Sequence, residues 1–505
     1  MTPRTVRLSV LLQDSQVVPL GTIGADPEIL GASMDSRRIE PGNLFVAVRG
    51  FEADGELFVP DAVRRGARAV VAESERPHEL SPEIGWVQVD EPRRAAGLLA
   101  RECYGRPDEA LTLAGITGTN GKTTVTYLLE SIARAAGRQA GRIGTVGAAF
   151  AESSHPLSRT TPEAPDLYRL FDEMRDASID FVCMEVSSHA LALSRVEGVR
   201  FDVVAFLNLS RDHLDFHHDE ESYFASKAKL FDVQDPGRRA VLFADSPHYD
   251  RLRKLCRGEV LSFGRGADAD VLLREEHCGL EGSSAILETP SGKLPIRTFL
   301  PGPHNLENIA AAAACALALD LPPEAIPAGV LALEQVPGRM QKIDRGQPFA
   351  VLVDYAHTAA ALEALLVWLR DVTQGRLWVV FGCGGGRDIT KRAPMGKVAA
   401  QRADVIVLTS DNPRGEDPES ILNAIAEGVA GVAGAQERCR SIEDRRQAIF
   451  TAVREAGPRD VVVVAGKGHE TGQRVGNTER PFDDRSVLEE ALEISGWKGD
   501  GVADA

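Results

Sequence analysis

Three scarcities narrow what this chain can be. Its seven cysteines, at positions 103, 183, 256, 278, 315, 383 and 439, form no C-x-x-C and no paired spacing, so neither a disulfide framework nor a zinc ribbon is expected. No run of about 18 apolar residues occurs, and the opening MTPRTVRLSVLLQDSQ lacks the apolar core of a signal peptide. These absences predict a cytoplasmic protein with no membrane insertion. Basic charge is also short: 57 Lys plus Arg against 74 Asp plus Glu leave a net charge of -17. A general binder of nucleic acid or anionic membrane is thereby disfavoured. An anionic ligand has to be met by local clusters of basic residues.

What remains is an ordinary globular composition, 43% hydrophobic and 26% charged over 505 residues, long enough for about three domains. Residues 1–108 mix short apolar runs (LFVAV, ARAVVAE, GWVQVD) with helix-like stretches, as a small α/β domain would. The link YGRPDEA then gives way to a buried-type strand. FVCMEV at 181–186 and VVAFLNL at 203–209 continue the pattern, so residues 109–337 are expected to hold a central parallel sheet covered on both faces. The Ala-rich stretch at 308–320 reads as a buried helix. After LEQVPGRMQ the pattern restarts, and residues 338–505 are expected to form a Rossmann-like, doubly wound domain. Four strands there end in the polar clusters DYAH, GCGGGRD, SDNPR and AGKGHE. In such sheets ligands sit beyond the carboxyl ends of the strands, where those clusters converge.

The sharpest motif is GITGTNGKTT at 115–124, between a strand and a helix. Its glycines let backbone N–H groups approach phosphate, the helix N-terminus favours negative charge, and Lys122 can bridge terminal phosphates. Thr123 or Thr124 can offer a hydroxyl to Mg²⁺. Yet it misses G-x-x-x-x-G-K-[ST] by one residue, because Ile116 stands where the first glycine belongs. Nucleotide binding follows; the reaction does not, and a simple kinase or NTPase or an inactive nucleotide-binding scaffold stays open. Glu185 closes its strand where a ligand of such a metal, or the neighbour of one, would sit. His213 and His217 have helical i, i+4 spacing, so zinc enters as an alternative, but an oxygen-rich site with one imidazole suits Mg²⁺ better. Lys227 by itself reads as a solvated helix lysine. In the last third, Arg387, Arg414 and Glu470 suggest a pocket for an amino acid, since Arg pairs with carboxylate and Glu with ammonium.

GTNGKTT, EVSSHAL, DHLDFH, GPHNLEN, GRM, DYAHT, FGCGGGRD, DNPR and GKGHE, with MDSR and GFEADG upstream, together resemble the Mur ligases, ATP-dependent amide ligases of peptidoglycan precursor synthesis. DNPR resembles the pattern of members that add meso-2,6-diaminopimelate rather than lysine. The resemblance implies ATP and Mg²⁺ as cofactors and a monomer acting on UDP-N-acetylmuramoyl-L-Ala-D-Glu and meso-diaminopimelate, with no nucleic-acid partner. It places ATP on Gly118, Thr119, Asn120, Gly121, Lys122, Thr123, Thr124 and Asn308. The UDP substrate falls to Met34, Ser36, Thr160, Thr161, Ser187 and Arg195 of the N-terminal UDP-binding and central domains. Diaminopimelate falls to Arg387, Asp411, Asn412, Pro413, Arg414, Gly466 and Glu470. Thr123, Glu185, His213 and Lys227, the last as a carbamate, are implied at Mg²⁺. Lys122 and Arg339, Asp354 and His357 at the last junction complete the catalytic set. Leu193, Gln341, Ala359 and Gly386 depart from the family pattern.

Overall fold

The computed structural model describes residues 5–21, 24–50, 53–232 and 237–497. Of the GFEADG stretch, Phe51 and Glu52 lie outside the described residues. Three sheets organise the chain, with four, eleven and six strands in chain order, beside two two-stranded pairs.

The first is parallel: β1 (Gly31–Ser33), β2 (Asn43–Val46), β3 (Ala69–Ala72) and β4 (Gly85–Gln88). Strand alternation sends Leu44 and Val46 to one side and Phe45 to the other. On the first side lies α1 (Pro92–Cys103). The same apolar cluster runs on without interruption into the central sheet, through Leu113, Val182 and Phe206.

In the central sheet β5 (Thr112–Thr117) is flanked by β6 (Phe181–Glu185) and β7 (Val203–Phe206), all parallel. The phosphate-loop helix α2 (Lys122–Ala135) follows β5, and α3 (Glu220–Ala228) precedes the next strand. The sheet is parallel only through its middle. At one edge Val271–Gly279, Gly282–Thr289 and Gly292–Thr298 pair antiparallel, because the turns joining them hold two residues each and a parallel return needs a long crossover. The Ala-rich helix α4 (Pro303–Ala318) is buried along its length and begins earlier than its alanines suggest, with Pro303 in its first turn.

The last sheet contains β8 (Ala350–Asp354), β9 (Leu377–Phe381), β10 (Val405–Leu408) and β11 (Val461–Ala465) in the spatial order β8-β11-β9-β10. A short parallel strand, Cys439–Ser441, extends it beyond β10. Helices α5 (Ala359–Val372), α6 (Arg445–Glu455) and α7 (Asp484–Ile494) pack on its two faces. Each face has its own core, built from alternating residues such as Val379 and Val463 against Trp378 and Val462. None of the helices among the described residues is long and apolar enough to cross a membrane. All seven cysteines are free.

Candidate functional site

The strand-loop-helix unit places the motif at the carboxyl end of β5. Gly121 adopts φ 89°, and a Cβ there would meet the Asn308 side-chain oxygen at 2.3 Å, so only glycine fits the turn. Asn208, which no motif flagged, holds the loop open: its side chain accepts from the Asn120 N–H at 2.9 Å and donates to the Asn120 carbonyl at 3.2 Å. The N-terminus of α2 has no side-chain cap, which leaves its N–H groups available to an anion. The Lys122 ammonium donates to the Gly118 and Thr119 carbonyls at 2.8 and 2.9 Å. A cleft of about 480 Å³ opens over this loop, and Thr119 to Thr124, Glu185, His213, Asn308, Arg339, Asp354 and His357 line it. Gly118 and Lys227 lie behind the loop.

Glu185 is buried rather than solvated. It accepts from the Thr123 hydroxyl at 3.0 Å, the Thr145 N–H at 2.8 Å and the Thr145 hydroxyl at 3.0 Å. Thr145 gave no signal in the sequence. Thr123 also accepts from the Arg339 guanidinium at 3.1 Å, which ties the start of the last domain to the loop. Arg339 in turn stacks over Tyr355, 4.3 Å from the ring centroid. Asp354 accepts from the Met340 and Ala356 N–H groups, both at 2.8 Å, and so pins the turn carrying His357. A Thr145→Val variant should lower kcat about tenfold through loss of carboxylate orientation while the melting temperature stays nearly unchanged. Steady-state ADP release and a thermal melt would check both.

His213 takes a left-handed backbone, φ 54°. Its imidazole is pushed down to about 4 by withdrawal from water, against the pull of Asp212 and with help from Lys122, so it is neutral and able to act as a ligand at neutral pH. The i, i+4 pair does not form a zinc face. The helix there spans only Leu214–His217, and His217 turns its ring to the Ser188 and Ser226 hydroxyls at 3.0 and 3.3 Å. Among the described residues no group of three or more His, Cys, Asp or Glu side chains gathers as a metal site.

Lys227 contradicts the reading as a solvated helix lysine. It is 1% exposed, donates to the Gly118 carbonyl at 2.9 Å and lies 4.5 Å over the Tyr223 ring. The short helix α3 packs this face inward beside Tyr223 and Phe224, a burial that its charged sequence hides. Burial, with Lys122 nearby, pulls its ammonium far below the usual lysine range.

A second cleft of about 700 Å³ shares Thr160, Ser187, Asp212, His213, Tyr355 and His357 with the first. Arg195 borders it on the central side; Arg387, Asp411, Asn412, Arg414, Gly466 and Glu470 border it on the other. The polar clusters after β8, β9, β10 and β11 therefore do converge. Thr161 sits just behind the wall, donating to the Glu185 carbonyl at 2.9 Å and accepting from the Ser187 N–H at 3.1 Å. Pro413 lines neither cleft, and its carbonyl accepts from the Glu416 N–H. Met34 and Ser36 line neither as well: Met34 packs on the first core, and Ser36, itself buried, opens a 3₁₀ turn whose Arg37 and Arg38 are exposed.

Glu470 accepts from Asn412 Nδ2 at 2.8 Å and from Lys467 Nζ at 2.9 Å. Lys467, quoted in GKGHE but given no role, is fully buried and donates also to the Gly472 carbonyl at 2.7 Å. Arg414 has φ 54° and donates to the Gly385 carbonyl at 2.9 Å. Arg387 is mostly exposed, 4.0 Å from Asp215 across the cleft. Two departures have local reasons. Gly386, at φ 60°, occupies a left-handed position that favours glycine, and the Gln341 side-chain amide oxygen, Oε1, accepts from the Gly338 N–H at 2.8 Å. Ala359 begins α5 behind the cap Thr358 and borders the second cleft, and Leu193 ends the short helix Ser188–Ala192.

Residues 28–104, 116–316 and 338–468 match the family descriptions "Mur ligase family, catalytic domain", "Mur ligase middle domain" and "Mur ligase, glutamate ligase domain" in turn. The chain is 45% identical to the UDP-N-acetylmuramoyl-L-alanyl-D-glutamate--2,6-diaminopimelate ligase of Solibacter usitatus, covering 95% of this chain and 96% of that one. Identity to the Geobacillus kaustophilus protein of the same name is 43%, with 94% and 96% covered. A solved structure of a ligase with this name aligns at TM-score 0.66 and 32% identity, over 92% of this chain and 95% of the other.

Proposed function

The chain belongs to the Mur ligase family, and from that premise we propose that it is the ADP-forming ligase that joins meso-2,6-diaminopimelate to UDP-N-acetylmuramoyl-L-Ala-D-Glu. The observation that carries the reading is the wall that the two clefts share, Thr160, Ser187 and His213, with the Thr119–Thr124 loop lining one cleft and Arg387, Arg414 and Glu470 the other. Relatives at 40–45% identity bear the corresponding name. Residues 1–108 form the UDP-binding domain, 109–337 the ATP-binding domain and 338–505 the amino-acid domain. The enzyme acts as a monomer in the cytoplasm.

In this reading ATP lies on the loop and against Asn308, and the D-glutamate carboxylate, held near Thr160, Ser187 and Arg195, attacks the γ-phosphorus. ADP leaves and an acyl phosphate forms. The diaminopimelate amine then attacks the acyl carbon, loses a proton to solvent, and the C–O bond to phosphate breaks from the tetrahedral intermediate. Lys122 and Arg339 offset charge on the transferring group, and the convergence of clefts supplies proximity. The buried carboxylate of Glu185, the Thr123 hydroxyl and the neutral His213 ring form a donor set suited to a hard divalent cation. With Lys227 converted by CO₂ to an anionic carbamate they would hold Mg²⁺, which when bound neutralises phosphate charge. Conversion removes the cation that would otherwise repel the metal, and a lysine with a depressed ammonium has the free amine that CO₂ requires.

ADP release should require both the UDP-muramoyl dipeptide and meso-diaminopimelate. Turnover with L-lysine equal to that with diaminopimelate would reject the amino-acid assignment, and ADP release without any amine would return the chain to the kinases.

A further inference from the structure

A fully buried ion pair lies beneath the amino-acid pocket, and none of the chemistry above uses it. Arg445, the first residue of α6, forks onto Asp484, the first residue of α7: Nε donates to Oδ1 and Nη2 to Oδ2, each at 2.7 Å, with both side chains at 0% exposure. The same guanidinium continues outward. Nη2 donates to the Ala465 carbonyl at 3.0 Å and Nη1 to the Ser410 carbonyl at 3.4 Å.

Those two carbonyls mark places where the pocket begins. Ala465 ends β11 and is followed by the Gly466–Glu470 turn; Ser410 follows β10 and is followed by Asp411, Asn412 and Arg414. The strands β10 and β11 do not pair with each other, since β9 runs between them. No ladder hydrogen bond joins their ends, which lie two strand spacings apart, ~9.6 Å; at the rim the two turns are linked instead by Asn412 Nδ2 on Glu470 at 2.8 Å and by the Arg414 N–H on the Arg474 carbonyl at 2.9 Å. Arg445 reaches both, and Asp484 fixes Arg445.

We propose that Arg445, anchored by Asp484, is a positioning residue for the amino-acid pocket, bracing from beneath the spacing between the Asn412–Arg414 turn and the Glu470 turn. The inference rests on the amino-acid assignment made above. It predicts a defect confined to one substrate. A pocket whose two sides recognise a carboxylate and an ammonium at a fixed spacing loses affinity when that spacing drifts, whereas the phosphate loop, on another sheet, is untouched.

Lone removal of either partner strands a buried charge and threatens folding, but replacing both by apolar residues of similar volume is often tolerated. The test therefore uses Arg445→Met/Asp484→Leu and, separately, Arg445→Lys, which keeps the charge against Asp484 but cannot fork onto both carbonyls. Thermal melts and steady-state kinetics would be measured for both against the intact enzyme. Expected for the double variant is a melting temperature near that of the parent, a KM for meso-diaminopimelate raised at least about tenfold, as small displacements can produce, a KM for ATP within about twofold, and kcat retained at saturating diaminopimelate. Arg445→Lys should show the same split at smaller size, and it decides the matter if the double variant does not fold. A folded variant with an unchanged KM for diaminopimelate, or with all KM values rising together, overturns the proposal. An intact enzyme that ignores diaminopimelate overturns the functional assignment instead.

Discussion

Substitution of Lys122 by methionine should lower kcat by about 10³-fold, roughly 4 kcal/mol of transition-state stabilisation, the upper range for removing one preorganised charge donor from a reacting oxyanion. The expectation follows from the position of the ammonium, which rests on two carbonyls of its own loop at 2.8 and 2.9 Å and can swing from them to phosphate without crossing protein. Methionine keeps the stem and the packing, so the fold should survive; the loop is also held by Asn208 and by the Thr119 N–H bonded to the Asn208 carbonyl at 3.0 Å. ATP affinity should fall far less than kcat, because the charge matters most as the γ-phosphoryl transfers. Single-turnover ADP formation with a separate nucleotide-binding titration distinguishes the two. A variant that retains more than about a tenth of parental kcat would remove Lys122 from the chemistry.

Arg414 to alanine should cost about 100-fold in kcat/KM for meso-diaminopimelate, the scale of a charge-assisted hydrogen bond to a carboxylate. Turnover with L-lysine should hardly change, since lysine has no second carboxylate to lose. The discrimination between the two amino acids thus collapses by the same factor. Arg414 is in the left-handed region, and alanine keeps the Cβ and hence the same backbone cost, so the comparison isolates the guanidinium. Arg414→Lys should recover only part of the loss, because an ammonium cannot pair with a carboxylate in two places. Competition between the two amino acids in one assay measures the ratio directly. A ratio unchanged from the parent would move the specificity to Arg387 or elsewhere.

The last domain was the most legible part of the sequence. Its strands are buried on both faces and therefore read as unbroken apolar runs, and each ends in polar residues that parallel topology delivers to one rim. The phosphate loop was legible for a related reason, as glycines and a lysine must sit between a strand and a helix to do that work. Lys227 was not legible from its neighbours: whether a helix lysine faces water depends on what packs over it, here Tyr223 and the back of the loop. Thr145 and Asn208 were missed because they act by holding Glu185 and Asn120, and a hydroxyl or an amide after a strand has no spacing to betray it. The antiparallel edge strands escaped because they bury every second residue, as at Ser283, Ala285 and Leu287, and so form no unbroken apolar run. The N-terminal residues Met34 and Ser36, implied by resemblance, are not brought to the clefts that the other residues share.

The first two sheets are sealed by one continuous apolar cluster, whereas the third closes both faces with its own helices. Between the third and the rest, contacts such as the Lys342–Glu281 pair at 2.7 Å and Arg339 on Thr123 are polar, and among the described residues Cys278 and Leu280, at the tip of one hairpin, are the apolar side chains of the other sheets that lean on its core. The architecture is therefore modular in its cores but not at its clefts: the third unit carries its own packing, yet its Arg339 and His357 line the phosphate-loop cleft and Thr160, Ser187 and Arg195 of the centre line the second, so each cleft is complete only when the two units meet.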